Sequence, residues 1–188
     1  MKHSRIFALT ALCLFAGAAS AHTGDHGLTG FVSGLSHPLL GLDHLLAMIA
    51  IGLWAAQQGG RALWAVPAAF VGTMVLGGVL AMSGLALPHV ETGIATSVLV
   101  LGLLIATRSQ WSVMAGIAIA SAFAVFHGYA HAVEMPFAAS PLLYAAGFVL
   151  ATALLHGAGV IGGLLGGRWM RLAGVAIAAS GLALVAGV

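Results

Sequence analysis

The chain has 188 residues, of which 61% are hydrophobic and only 5% charged, with a mean hydropathy of +1.11. Soluble domains usually carry about a quarter charged residues. The composition therefore excludes an ordinary soluble domain and predicts an all-α polytopic protein of the lipid bilayer. A formal net charge of +2 is too small to indicate a nucleic-acid partner.

Residues 1–21, "MKHSRIFALTALCLFAGAASA", have the pattern of a secretory signal peptide. A basic start carrying Lys2 and Arg5 precedes a short apolar run and then small residues at a cleavage-type end. We expect cleavage after Ala21, which places the new N-terminus outside the cytoplasm. The alternative is an uncleaved first helix. Cys13 is the only cysteine, so cleavage would leave no thiol for a disulfide or a thiolate metal site.

Six apolar segments follow, each close to the ~20 residues that a membrane-spanning helix needs. No soluble domain interrupts them, so residues 22–188 are predicted to form one six-helix transmembrane bundle. The predicted segments are 36–57, 62–87, 91–107, 112–132, 140–163 and 169–187.

The basic residues of the predicted mature chain follow the first, third and fifth segments: Arg61, Arg108, Arg168 and Arg171. Cytoplasmic loops are enriched in Lys and Arg. With these loops inside, the mature N-terminus lies outside, as the signal peptide also predicts. We therefore expect a multi-pass protein of a bacterial inner membrane with a periplasmic N-terminus. The acidic residues and most histidines then gather at the opposite, outer face.

The first segment opens with two histidines and an aspartate, "SHPLLGLDHLLAMIAIG". On one continuous helix, His37 and His44 would face the same way within about 20°, with His44 roughly 10 Å deeper. Asp43 would face elsewhere, where it could orient a ligand. A carboxylate within a membrane helix usually marks a functional path. The alternative is an interfacial His37 beside a satisfied buried pair of Asp43 and His44.

The fourth segment ends in "FHGYAHAVEMP" at residues 126–136. His127, His131 and Glu134 have spacings of four and three residues, which place them on one stripe of a helix. Two imidazoles and a carboxylate suit a divalent ion such as Ni²⁺, Cu²⁺, Zn²⁺ or Co²⁺. Glu134 could instead fix the tautomer of a liganding histidine. The remaining alternative is a polar helix end at the interface.

Each of the other polar residues has two possible roles. Glu91, which follows His89 at the start of the third segment, is either a metal ligand or a carboxylate favoured by the helix dipole. His22 and His26 could bind a metal with the new α-amine or form a polar tail. His156 is either a packed histidine or a deeper position on a pathway.

"HPLLGLDHLLAMIAIG" and "FHGYAHAVE" resemble the two signature segments of the HupE/UreJ family of nickel permeases. The resemblance covers essentially the whole chain, although Ala132 stands where a glycine is expected. It implies uptake of nickel, with cobalt as the other candidate, in support of hydrogenase or urease assembly. It implies no enzymatic activity and no permanently bound cofactor. The implied metal-binding residues are His37, Asp43, His44, His127, His131 and Glu134, with Glu91 as the acidic residue after the second helix.

Three functions are compatible with these residues. The first is a metal permease, which must be passive or ion-coupled because the chain lacks a GxxxxGK[ST] loop. The second is an intramembrane zinc-dependent hydrolase, although the HExxH signature is absent. The third is a b-type cytochrome with two histidines on haem. The composition leaves a homo-oligomer open.

Overall fold

The structure, a computed structural model, describes residues 26–187, with side chains from residue 30 onward. This part of the chain is all helical, as predicted. The seven helices are α1 (His26–Leu40), α2 (Leu42–Gln58), α3 (Ala62–Met82), α4 (Val90–Ala106), α5 (Val113–Val133), α6 (Pro141–Leu165) and α7 (Arg168–Ala186). The predicted signal peptide, residues 1–21, lies outside the described residues.

The last five predicted segments coincide with α3 to α7 within five residues at every end. By length and composition, α3, α5, α6 and α7 could each cross a membrane, and α1 with α2 would make a fifth crossing if that bent pair is one span. The 17-residue α4 is apolar but shorter. Large apolar side chains such as Leu40, Leu142 and Leu165 are about four-fifths exposed. Such a surface suits lipid rather than water, so the chain is a multi-pass membrane protein.

The prediction of one continuous helix over residues 36–57 is wrong. The segment breaks at Gly41, and the two parts meet at an angle of 82°. Pro38 lies in the last turn of α1, where it lacks the N–H that would bond to the preceding turn. Gly41 is extended, with φ −94° and ψ 118°. Asp43 Oδ1 then accepts the backbone N–H of His44 at 2.7 Å, which satisfies a free donor at the start of α2.

Glycines allow the helices to approach closely. A Cβ at Gly52 of α2 would collide with the His156 carbonyl oxygen of α6, and one at Gly128 of α5 would collide with the Met74 carbonyl oxygen of α3. Gly102 of α4 meets the backbone of α7 in the same way. Small residues at such crossings are typical of membrane helix pairs. These contacts fix the positions of α2, α5 and α6, which carry most of the polar residues.

The loops after α2, α4 and α6 lie together at one end of the bundle, here named the arginine end after Arg61, Arg108, Arg168 and Arg171. Gln58 Nε2 donates to the Ser109 carbonyl oxygen at 2.7 Å, and the backbone N–H of Trp111 donates to Gln58 Oε1 at 2.9 Å. Arg108 Nη2 donates to the Gly167 carbonyl oxygen at 3.2 Å. The opposite end, where α2 begins and α5 ends, is named the histidine end.

Candidate metal centre

Four histidine rings form a continuous chain at the histidine end, in the order His37, His131, His44 and His127. The His131 ring centroid lies 4.8 Å from that of His37 and 4.2 Å from that of His44. The centroids of His44 and His127 are 4.9 Å apart. All three contacts are edge to face. This imidazole chain runs from His37, whose side chain is 27% exposed, to His127, which is fully buried.

The break in the first segment brings these rings together. Since α1 and α2 meet at 82°, His37 and His44 do not share a helix face as predicted. They approach the ring of His131 from two different helices instead. Two separate sequence motifs therefore contribute to a single group of side chains.

The most exposed part of the group is a mouth formed by His37, His131 and Glu134. One ligand atom from each of the three lies within 4.8 Å of the others, and this is the one such set of three found among residues 30–187. Glu134 directly follows α5, and its Oε2 accepts a hydrogen bond from His37 Nε2 at 2.9 Å. The Glu134 side chain is 45% exposed, so it can meet a hydrated cation from outside the bundle.

Asp43 orients His44. The ring Nδ1 of His44 donates to Asp43 Oδ1 at 2.9 Å, because an ionised carboxylate can only accept. The other nitrogen, His44 Nε2, therefore carries the lone pair. It is buried and has no hydrogen-bond partner among the described residues. A carboxylate that fixes the tautomer of a histidine is the usual partner of a metal-binding imidazole.

Ser97 of α4 fixes the tautomer of His127 in a similar way. The Ser97 hydroxyl lies 2.6 Å from the Ile94 carbonyl oxygen, which can only accept, so its single proton is directed there. Ser97 Oγ must then accept from His127 Nε2 at 2.9 Å. The lone pair of His127 lies on Nδ1, a buried atom with no partner in the described part of the chain.

His131 lies at the centre of the group and is only 3% exposed. Neither of its ring nitrogens has a hydrogen-bond partner within residues 30–187. Its ring rests against Phe148 at 3.7 Å between centroids, and Tyr144 stacks on that phenylalanine. Leaving a buried polar atom unpaired costs about 1–3 kcal/mol. A cation or hydrogen-bond donor bound to a His131 nitrogen would therefore stabilise this arrangement.

The group suits a divalent transition-metal ion. Neutral imidazole nitrogens bind Ni²⁺, Co²⁺, Zn²⁺ and Cu²⁺, and carboxylates bind the same ions less selectively. Asp43 and Glu134 place two carboxylates beside the imidazole chain, which favours a positive charge there. A hydrated dication could exchange its water for these ligands in steps, from the half-exposed mouth to the buried rings.

The structure brings together six of the residues singled out in the sequence: His37, Asp43, His44, His127, His131 and Glu134. Glu91 is exposed in the first turn of α4, a position that the helix dipole favours for a carboxylate, and is not part of this group. His22 lies outside the described residues. For His26 only the backbone is described, as the first residue of α1.

A family model described as HupE / UreJ protein matches residues 10–184. The chain belongs to the HupE/UreJ family. It is also 43% identical to "Protein HupE" of Rhizobium leguminosarum bv. viciae over 194 residues, covering 100% of both chains. No solved structure matches. The resemblance drawn from the two histidine motifs is thus confirmed at the level of the family.

One position differs from the HupE/UreJ pattern expected from the motif, since residue 132 is alanine rather than glycine. A Cβ built on Gly78 of α3 would lie 3.9 Å from the Ala132 Cβ, which is an ordinary contact. The α3 and α5 backbones are therefore not so close at this point that glycine is needed. The methyl group of Ala132 thus has room beside Gly78.

Sequence reasoning missed Ser97, Tyr144 and Phe148 of this HupE/UreJ protein. Ser97 is a fully buried hydroxyl that directly follows Thr96 and precedes the apolar run "VLVLGLLIA", so nothing in the local sequence distinguishes it. Tyr144 and Phe148 are one turn apart on α6, but nothing in their local sequence separates them from lipid-facing aromatics. Only the tertiary structure shows that the Phe148 ring contacts that of His131 and that Tyr144 lies beside His37 and Phe148.

Proposed function

We propose that this protein is a membrane permease for nickel, with cobalt as the other candidate ion. The observation that carries the proposal is the imidazole chain, in which buried ring nitrogens without partners extend inward from a carboxylate-bearing mouth. Polar groups inside a membrane protein usually mark substrate pathways. Imidazole and carboxylate ligands do not separate nickel from cobalt or zinc. The choice of nickel rests on the family resemblance.

The proposed topology has six crossings, with α1 and α2 forming one broken span and α4 a short one. A cleaved signal peptide over residues 1–21 would leave the N-terminus in the periplasm of a bacterial inner membrane. Support comes from the arginine end, where the loops after α2, α4 and α6 contact one another. Arginines gathered at one end agree with a cytoplasmic location for that end.

Transport would begin at the mouth, where Glu134 attracts the hydrated dication and His37 and His131 replace part of its water. The ion would then reach the free lone pairs of His44 and His127. The tautomers set by Asp43 and Ser97 keep these nitrogens unprotonated. Because the ligands are neutral imidazoles arranged in series, each one can be exchanged for the next.

The energy source would be the concentration gradient of the metal or a coupled ion, since the sequence carries no phosphate-binding loop. The imported ion would supply the assembly of a nickel enzyme, either hydrogenase or urease. This assignment follows the family resemblance. We propose no catalytic role for the imidazole chain.

The alternative is an intramembrane zinc-dependent hydrolase, which the same histidines and Asp43 could serve. The two functions differ in how tightly the metal is held. A hydrolase retains a stoichiometric zinc ion through purification, whereas a permease must release its ion. The haem alternative is disfavoured, because the rings of His44 and His127 contact each other directly and leave no space for a porphyrin between them.

Uptake of radiolabelled Ni²⁺ tests the proposal in cells that lack their own nickel importers. We expect saturable uptake with the protein present, competition by excess Co²⁺, and loss of uptake in His44→Ala. His89→Asn is the matched control, because His89 is exposed in the loop before α4 and its φ of 58° suits asparagine. Inserted wild-type protein that imports no nickel, and that retains stoichiometric zinc, would favour the hydrolase instead.

A further inference from the structure

His156 of α6 is a polar residue that the imidazole chain does not include. It is only 2% exposed, and neither of its ring nitrogens has a hydrogen-bond partner within residues 30–187. A packed structural histidine would normally pair at least one nitrogen, because an unpaired buried one is costly. His156 therefore presents the same feature as the central His131, at another depth of the bundle.

The ring of Phe70 contacts both His156 and His127, the innermost ring of the imidazole chain. Its centroid is 5.5 Å from that of His127 and 5.2 Å from that of His156. The centroids of His127 and His156 are therefore at most about 11 Å apart. Phe70 is fully buried, so its ring packs against both imidazoles inside the bundle.

His156 lies nearer the arginine end than the imidazole chain does. It is the sixteenth of the 25 residues of α6, which starts at the histidine end. At 1.5 Å per residue it lies about 22 Å along this helix, whereas His131 is only two residues from the end of α5. An ion that passed from His127 to His156 would therefore have moved toward the arginine end.

A groove between α3 and α6 reaches His156 from the arginine half of the bundle. Its volume is about 710 Å³, and its lining includes Leu63, Pro67, His156 and Val160. Pro67 has no N–H, so it cannot donate to the Leu63 carbonyl one turn earlier, as a residue at this position of a helix normally would. The groove thus combines an unpartnered imidazole with a carbonyl that lacks its usual helical donor, and both could bind a cation.

We propose that His156 is a second, inner binding position for the transported divalent cation, next to the Phe70 ring that also contacts the imidazole chain. The inference rests on the proposed permease function. A rotation of the Phe70 side chain would connect His127 with His156, and the groove would release the ion toward the arginine end. Two binding positions in series allow an ion to be passed inward without an open pore.

A spectroscopic test uses cobalt as the probe. Cys13 is the only cysteine of the chain, so a Cys13→Ser protein provides a thiol-free full-length background. In this background, His156→Cys places a single thiol at the proposed inner position. Cobalt bound by a thiolate shows a sulfur-to-metal charge-transfer band in the near ultraviolet, which imidazole and carboxylate ligands do not produce. The control is Leu154→Cys, a position that is 62% exposed on the same helix.

We expect the charge-transfer band when Co²⁺ is added to His156→Cys and not when it is added to Leu154→Cys. If His156→Cys shows the visible bands of cobalt bound at the imidazole chain but no charge-transfer band, the inner position is refuted. Because this readout needs no transport, it separates the inner position from the proposed function. Wild-type protein that neither binds Co²⁺ nor imports Ni²⁺ would overturn the permease function, and the inner position with it.

Uptake provides the second readout. We expect His156→Leu to lower the initial rate of Ni²⁺ uptake by about tenfold or more, as loss of a metal contact does, while Co²⁺ binding at the imidazole chain is unchanged. His156→Cys should retain more uptake than His156→Leu, since a thiolate still binds these ions. If His156→Leu transports at the wild-type rate, or only changes the oligomeric state, the groove is a lipid or helix contact and the proposal is wrong.

Discussion

Gly41→Ala should weaken metal binding although Gly41 contacts no metal ligand atom. The φ of −94° at this residue is accessible to alanine, so the backbone is not strained. The added Cβ would instead lie 2.9 Å from Asp43 Oδ1 and 3.3 Å from His44 Nδ1. Carbon atoms do not approach oxygen that closely, and the carboxylate is the end of a side chain that can rotate. We therefore expect Asp43 to turn away and release His44.

The size of the effect follows from the two bonds that Asp43 Oδ1 makes. One fixes the ring of His44 through Nδ1 at 2.9 Å, and the other accepts the His44 backbone N–H at 2.7 Å. Loss of such an orienting partner typically lowers metal affinity 10–100-fold, which is about 1.4–2.7 kcal/mol of binding free energy. Loss of the backbone bond resembles loss of a helix cap, about 1 kcal/mol of stability. The protein should therefore fold normally and bind Ni²⁺ weakly.

Nickel affinity of the purified protein, measured by equilibrium dialysis, tests this expectation alongside thermal unfolding in detergent. Gly72→Ala is the matched control, since a Cβ there meets no atom within 4 Å. Asp43→Ala should reproduce the loss of affinity, and the double variant of Gly41 and Asp43 should bind no more weakly than Asp43→Ala alone, because both act through one contact. Wild-type affinity in Gly41→Ala, or additive losses in the double variant, would refute the reasoning.

Three further predictions concern other parts of the bundle. Ser97→Ala should leave His127 Nε2 without its acceptor. The free energy of unfolding should therefore fall by about 1–3 kcal/mol, and nickel affinity should fall as well. An unchanged affinity would show that Ser97 does not set the tautomer of His127. Glu134→Gln should raise the KM for uptake with almost no change in thermal stability, because a half-exposed ion pair contributes at most about 1 kcal/mol; a large loss of stability would contradict this. Gly52→Ala should lower the free energy of unfolding by about 1–3 kcal/mol through overpacking, because its Cβ would collide with the backbone of α6. Equal stability of Gly52→Ala and Gly72→Ala would argue against this close approach of α2 and α6.

The sequence alone determined the helical class and most of the helix bounds. Apolar runs of spanning length leave few alternatives, because unpaired backbone groups are too costly in lipid for any structure but a helix or a closed barrel. The same composition made the few polar residues conspicuous, so the two histidine motifs could be recognised as belonging together. The partners Ser97 and Phe70 were not conspicuous, because serine and phenylalanine are both common in membrane helices.

Tertiary structure decided how the histidines meet. From spacing alone, His37 and His44 were placed on one helix face, and that geometry was wrong. Local sequence does not show whether Pro38 and Gly41 merely weaken a helix or break it, because the outcome depends on what α1 and α2 gain by packing on α6. The resulting bend aims two rings at His131, and contacts between distant helices then supply Ser97 to His127 and Phe70 to His156. Residue types and spacing thus follow from the sequence, whereas the tautomer of His127 and the contacts of His131 with His37 and His44 depend on side chains from distant parts of the chain.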